Sequence, residues 1–383
     1  MKRILIAMVV LIAWLPAQGW AQKGAGDHEA LLQQLARGDR QALPTVIKQG
    51  EAIFPALTKL LANHPRDDNQ SLLVYATAEI ARDLGAKAKP AVPILATLLK
   101  SQDKAVASDS ARALGYIGAE AMPAVVKTLN ASENEQQAIG AVRALRHIGP
   151  GAKESAPAIL TVLKKSGDPH FRLACIDAIG AIGPGGKDTV DELLKLTKDK
   201  KAPYGVHLIV ALGRQGTDGK AAIPYLVEVM KDAPEPHLRV HALESLARIS
   251  PSSKELVDAV ARMLDQPHVP KIMVLESLAK GGPVSKEMMK GIEEMMRDKD
   301  SAVRLQAALV VGKSNKDHPA VVSILIESLA DRDAKTRRTA AEAIGTIRPT
   351  DDAVIEALQK RAKDADPGVR QAVAEALAKF KKK

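Results

Sequence analysis

The 383-residue chain carries 55 Lys and Arg against 45 Asp and Glu, a net charge of +10, with 46% hydrophobic and 2% aromatic residues. Its single cysteine, Cys175, excludes an intrachain disulfide, and the scarcity of rings argues against sugar grooves and single-strand nucleic-acid platforms, which stack their ligands on aromatic faces. The diffuse positive charge suits anionic surroundings such as envelope polymers or acidic protein surfaces.

At the start of the chain, Lys2-Arg3, an apolar run from Ile4 to Leu15, Pro16 and the small residues of Gly19-Trp20-Ala21 form the pattern of a secretory signal peptide over residues 1–21. The run of about twelve apolar residues is shorter than the roughly 20 that a membrane-crossing helix needs. The mature chain from Gln22 is therefore expected outside a bacterial cytoplasm, in the periplasm or secreted, with no transmembrane segment. Cleavage removes both tryptophans, Trp14 and Trp20, and leaves 53 basic against 45 acidic residues.

Residues 22–50 read as a leader and a polar helix around His28 to Arg37 that caps the rest of the chain. Helices are expected from Glu51 to Leu61 and from Leu72 to Leu84, and from Pro90 onward the pattern becomes regular. One helix of each pair opens on proline, as at Pro90 and Pro93, Pro123, Pro157, Pro224 and Pro319, where the missing N–H had no helical partner. The other helix comes after an acidic turn and opens on a base, as in Phe171-Arg172, Val303-Arg304, Thr336-Arg337 and Val369-Arg370. Asp364, Asp331, Asp298, Asp265, Asp232 and Asp199 recur at a spacing of 33, the comb of a repeat array.

The expected fold is all-α: an α-solenoid of about ten antiparallel helix pairs over residues 51–380, about 33 residues per repeat, and then a basic tail at 381–383. Each unit of such an array is buried only against its neighbours, so one continuous array replaces the several compact domains that length alone suggests. Cys175 shares one slot with Val274, Ala307, Ala340 and Val373 and reads as a small core residue.

The Thr-Pro-Leu-His signature of ankyrin is absent, and the ring-poor chain cannot fill the aromatic slots of a tetratricopeptide repeat. Asp298-Lys-Asp-Ser-Ala-Val-Arg304, Asp331-Arg-Asp-Ala-Lys-Thr-Arg337 and Asp364-Ala-Asp-Pro-Gly-Val-Arg370, each leading into an alanine-rich helix, resemble HEAT repeats, in particular the short bacterial phycobilisome-lyase HEAT-like type. Ala111-Arg-Ala-Leu-Gly-Tyr-Ile-Gly118 is similar to the end of that helix. The resemblance implies a protein-interaction scaffold whose second helices line a concave surface. A minority of such arrays attach or remove bilin chromophores, for which one core cysteine in an exported chain gives little reason.

The recurring bases Arg172, Arg239, Lys271, Arg304, Arg337 and Arg370 read as a structural ladder paired with the acids of neighbouring turns. Five residues further along each helix stand Asp177, Glu244, Glu276, Glu342 and Glu375 in later repeats but Arg112 and Arg143 in earlier ones, with Arg146 and His147 nearby. Arg112, Arg143, Arg146, His147, Glu244, Glu276 and Glu342 are therefore the partner-binding candidates, as a charge polarity able to orient an elongated partner or as a solvated face of mixed charge. His237 and His241 lie one helical turn apart with Glu244 beyond, and His207 holds the register of His241 one unit earlier. That is the one metal-like grouping, although residue 238 is Leu where a metalloprotease motif has Glu.

No catalytic residue stands out, and no cofactor is implied. The function expected is a non-enzymatic, monomeric scaffold binding another protein and no nucleic acid. The alternatives are an envelope enzyme on the same array, metal-dependent or chromophore-lyase-like, and an electrostatic binder of anionic polymers.

Overall fold

A computed structural model describes residues 27–63, 70–199, 204–266, 269–280 and 284–381. The expected signal peptide at 1–21, the leader as far as residue 26, and Lys382 and Lys383 of the tail lie outside the described residues. Among those described there is no strand, and no helix is long and apolar enough to cross a membrane.

The chain divides into two compact units, one ending at Gly185 and the other beginning at Gly186. The first opens with α1 (27–36) and α2 (Leu43–Gln49), then sets out four helix pairs: α3 (Phe54–Asn63) with α4 (Gln70–Leu84), α5 (Val92–Leu98) with α6 (Lys104–Ile117), α7 (Met122–Asn130) with α8 (Glu135–Ile148), and α9 (Ala156–Lys165) with α10 (Pro169–Ile182). α2 is an addition to the expected cap. Pro44 in its first turn carries the same start signal as the later prolines, and Val46 anchors it.

The second unit comprises α11 (Lys187–Leu196) with α12 (Gly205–Gly213), α13 (Ile223–Asp232) with α14 (Pro236–Ile249), α15 (Lys254–Asp265) with α16 (Lys271–Lys280), α17 (Lys286–Met295) with α18 (Ser301–Ser314), α19 (Pro319–Leu329) with α20 (Ala334–Ile347), and α21 (Asp352–Arg361) with α22 (Pro367–Lys381). In each unit the second helices stack in order, α4 on α6 on α8 on α10 in one and α12 through α22 in the other, while first helices such as α3, α5, α7 and α9 form the neighbouring layer. This is the all-α solenoid that the periodicity predicts.

Aliphatic side chains fill the space between layers. Leu57, Leu95, Val125 and Ile159 of the first helices and Leu73, Leu114, Leu145 and Ile179 of the second are all fully buried, each contributing about 1.5–3 kcal/mol by leaving water. Small residues set how closely second helices approach. A methyl group on Gly213 of α12 would lie 2.6 Å from the Cα of Ser245 on α14. Ser245 Oγ uses the same closeness to donate to the Ile209 carbonyl across the helix boundary at 2.9 Å.

The starts of the helices obey the expected chemistry with two corrections. Pro93, Pro123, Pro157, Pro224 and Pro319 sit in first turns, but Pro90 lies in a short 3-10 segment, Gly85–Ala91, ahead of α5. The acid of the 33-residue comb is not the helix cap. In each Asp-x-Asp turn the second acid caps: Asp300 accepts from the Ala302 N–H at 2.9 Å, Asp333 from Thr336 at 3.0 Å and Asp366 from Val369 at 3.0 Å. The comb acid folds the turn, since Asp298, Asp331 and Asp364 accept from the N–H two residues on at 3.0, 2.8 and 3.0 Å.

The comb acid can also receive the base of the preceding repeat. Lys271 Nζ donates to Asp298 at 2.7 Å, and Arg337 reaches Asp364. The arginines of the last repeats clamp their own turns as well, Arg304 Nη1 on the carbonyls of Asp298 and Lys299 and Arg370 Nη1 on those of Asp364 and Ala365. Partners vary along the series: Arg304 Nη2 turns to Glu327 at 2.8 Å, and Asp331 takes the Ser301 hydroxyl at 3.1 Å. Lys271, Arg304, Arg337 and Arg370 are thus structural, whereas Arg172 departs from the series, its buried Nε having no hydrogen-bond partner among the described residues.

Candidate functional site

Consecutive second helices place equivalent residues side by side, so a position one repeat away is a lateral neighbour. Arg112 on α6 and Arg143 on α8 hold this relation, and the residue in the same register on α4 is Glu79. Glu79 is 9% exposed, and its carboxylate meets Arg112 Nη1 at 3.2 Å and Arg82 Nη1 at 2.8 Å. Asp109 grips Arg112 Nη2 at 3.0 Å from one turn earlier on α6. The Arg112 guanidinium lies 5.3 Å from the centre of the Tyr75 ring on α4, within reach of the ring's negative face.

Arg112 is therefore an internally answered charge. Burial pushes the Asp109 carboxyl up, with Arg112 opposing and Glu79 adding to the rise. The acids of the α4–α6 seam thus set Arg112 apart from Arg143 and give this end of the register a mixed charge.

Arg143 and Arg146 behave differently. Both are exposed, and neither forms an ion pair or hydrogen bond with a described residue. His147 is beside them, and its pKa is held below the usual imidazole value, first by loss of hydration and then by the charges of Arg146, Arg112 and Arg143. The charges of Arg112, Arg143 and Arg146 thus all reach the His147 ring. Arg143 also lines an open groove of about 450 Å³ that runs along α8 between α6 and α10, with Lys104, Ile139, Asp168, His170 and Phe171.

The anions near this groove are engaged at helix starts. Asp168 accepts the His170 N–H at 2.9 Å, and Glu135 stands in the first turn of α8, where the helix dipole favours a negative charge. Tyr75 and Tyr116, each 36% exposed, are the exposed large hydrophobic side chains among the described residues. Tyr116 lies one turn beyond Arg112 on α6 and in the same register as His147 on α8. Neither these rings nor the groove is among the candidates that the sequence offers. The spacing of four between Arg112 and Tyr116 was the available signal for the ring.

In the second unit Glu244 on α14 is half-buried and accepts from the Ser277 hydroxyl of α16 at 3.1 Å, with His241 Nδ1 at 3.5 Å. Glu276 on α16 is half-buried, and Glu342 on α20 is exposed and 3.7 Å from Arg338. Glu244 therefore ties neighbouring helices, while Glu342 faces outward. His207, His237 and His241 do not assemble a metal-holding group with each other or with Glu244, and no cluster of three or more His, Cys, Asp or Glu side chains suited to a metal occurs among the described residues. Cys175 is fully buried in α10, and its thiol is pushed up to about 12, mainly by burial and further by Glu135.

A family profile described as HEAT repeats matches residues 122–206, 271–345 and 322–383 of the chain. Among solved structures, yeast importin-beta is similar with a TM-score of 0.53 at 14% identity, over 91% of this chain and 53% of that one, so the chain spans about half the length of importin-beta. An engineered protein is similar with a TM-score of 0.36 at 21% identity, over 93% of this chain and 99% of that one. No curated protein matches the sequence. At such identities the likeness to importin-beta shows the fold.

Proposed function

The chain belongs to the HEAT-repeat family, and on that premise we propose that it is a non-enzymatic scaffold of the bacterial envelope or exterior that holds a partner protein along its second helices. The arrangement of α4, α6 and α8 carries this reading: side chains facing away from the core include two exposed tyrosines and two arginines without partners among the described residues. Such residues anchor protein contacts, because a ring buries much area for little lost freedom and a guanidinium offers several hydrogen-bond donors in a fixed plane. The extracytoplasmic placement is supported by the order Lys2-Arg3, Ile4 to Leu15, then Gly19-Trp20-Ala21.

The test is capture from an envelope extract by the mature chain, beside the double variant Arg143→Glu, Arg146→Glu, with cross-links mapped by mass spectrometry. Recovery of one protein, cross-linked to α4, α6 and α8 and lost with the variant, is the expected outcome. Recovery of polyanions alone, or turnover of a small molecule by the pure chain, would replace the scaffold reading by the polymer-binding or enzymatic one.

A further inference from the structure

Tyr75 and Arg112 are stacked at 5.3 Å, and beside them on the second-helix face of the first unit stand Tyr116, Arg143, Arg146 and His147. We infer that this face docks an acidic segment of a partner protein, its carboxylates on Arg143 and Arg146 and an apolar side chain against the Tyr116 ring. The inference rests on the scaffold reading and names the chemistry of the partner.

Charge complementarity selects the occupant. The carboxylates near the face already have a partner or a helix start: Glu79 and Asp109 hold Arg112, Asp168 caps α10, Glu135 occupies the first turn of α8, and Asp177, which stands on α10 in the register of Arg143, is half-buried and engaged. Arg143 and Arg146 have no such partner among the described residues, so the unanswered charge of the face is positive. His147 adds no third charge near neutral pH, because lost hydration and the arginines around it favour its neutral form. Two guanidiniums suit carboxylates as paired, planar acceptors.

A bare phosphate chain would meet the same arginines but would make no use of the rings. Tyr116 is exposed one turn from Arg112, which is itself held over Tyr75 by Glu79 and Asp109. An apolar side chain set among acidic ones gains from both kinds of group. This favours a protein segment over a phosphate chain, and the heparin arm of the test separates it from a uronate chain, whose sugar rings can stack on tyrosine.

The probe is a short fluorescein-labelled peptide in which pairs of glutamates alternate with single leucines, titrated against the mature chain by fluorescence anisotropy. Its glutamine counterpart and heparin are run alongside. Expected are binding of the glutamate peptide, weakening as salt is raised, and none of the glutamine peptide. Arg143→Glu with Arg146→Glu is expected to weaken binding by about tenfold or more, and Tyr116→Ala by about threefold or more, with helical content and melting temperature unchanged. Binding unaffected by either variant, or heparin binding more tightly and insensitive to Tyr116→Ala, overturns the inference. Should the peptide fail to bind while the unaltered mature chain still captures one protein from extract, the inference falls and the scaffold reading stands; a peptide that fails to bind and an unaltered chain that captures no protein sink both.

Discussion

Arg337 and Asp364 are joined by two hydrogen bonds, Nε to Oδ2 at 2.9 Å and Nη2 to Oδ1 at 2.8 Å, so that α20 of one repeat grips the turn ahead of α22 in the next. The Asp364 side chain is 3% exposed and also accepts the Asp366 N–H. Asp364→Ala leaves a guanidinium and a turn N–H without their acceptor. It is expected to lower the melting temperature by roughly 5 °C, with Asp364→Asn losing less. An unchanged midpoint for Asp364→Ala in circular dichroism melts would show that the repeat boundary holds without this tie.

Acid should weaken the same boundary. Arg337 holds the Asp364 carboxyl below the usual carboxylate range, and backbone N–H groups of Asp300 and Thr336 do so for Asp298 and Asp333. A carboxyl with a depressed folded pKa adds stability that is complete above its unfolded value of about 3.9 and is lost as pH falls through the folded value. Melting temperature is therefore expected to drop below about pH 4, and Asp364→Asn, which has no such proton to take up, should show a smaller drop.

Two glycines in second-unit helices should respond oppositely to the same substitution. Gly213→Ala pushes a methyl into Ser245 and strains the Ser245 to Ile209 bond, with an expected cost of about 1–3 kcal/mol. Gly291 in α17 has open space where its Cβ would be, so Gly291→Ala should stabilise by about 0.5–1 kcal/mol through helix propensity. Denaturant titrations of the two variants check both signs, and a stable Gly213→Ala would mean that α12 and α14 separate at little cost.

His147 should titrate below the usual value of about 6.5, because hydration is lost and three arginines oppose its proton. Its folded pKa is lowered, so the unfolded chain takes up the proton first, and stability declines as pH falls below the unfolded value. Arg146→Glu exchanges a repulsion for an attraction and should raise the imidazole pKa. A two-dimensional NMR titration of the ring carbon protons reads this directly, and an unmoved or lowered value would place Arg146 away from the ring.

Cys175 should remain a thiol under all native conditions. Burial pushes it up to about 12, so thiolate is scarce and the sulfur is covered. An aromatic disulfide reagent is expected to label it only as the chain unfolds, at a rate that tracks the loss of helical signal. Fast labelling of folded protein would contradict the core placement.

The solenoid was legible because a repeat states its pattern many times: the acids at 33-residue spacing, the first-turn prolines and the alternation of aliphatic and alanine-rich helices all point one way. What one turn does with its two acids was not. Asp331 and Asp333 differ in the N–H they reach, Asp331 accepting that of Asp333 within the turn and Asp333 that of Thr336 in the first turn of α20. The binding candidates were legible as a register but not as a surface. Arg112 looks equivalent to Arg143 until Glu79 is placed beside it, and Glu79 sits in a repeat that lacks the Asp-x-Asp and Val-Arg marks. Tyr75 and Tyr116 are separated by 41 positions and become one face only once α4 lies on α6.

Arg370 holds the carbonyls of Asp364 and Ala365 at 2.7 and 2.9 Å, the same grip that Arg337 has on its own turn, while Arg337 alone of the two also reaches an acid one repeat further on. The tie to the next acid is made by Lys271 to Asp298 and by Arg337 to Asp364, but at the boundary between them Arg304 turns to Glu327 and Asp331 is left with the Ser301 hydroxyl. Charged staples on the turn acid thus alternate with a neutral one along α16 to α22, and the turn between α18 and α20 is the one whose acid can shift against the preceding second helix without parting an ion pair.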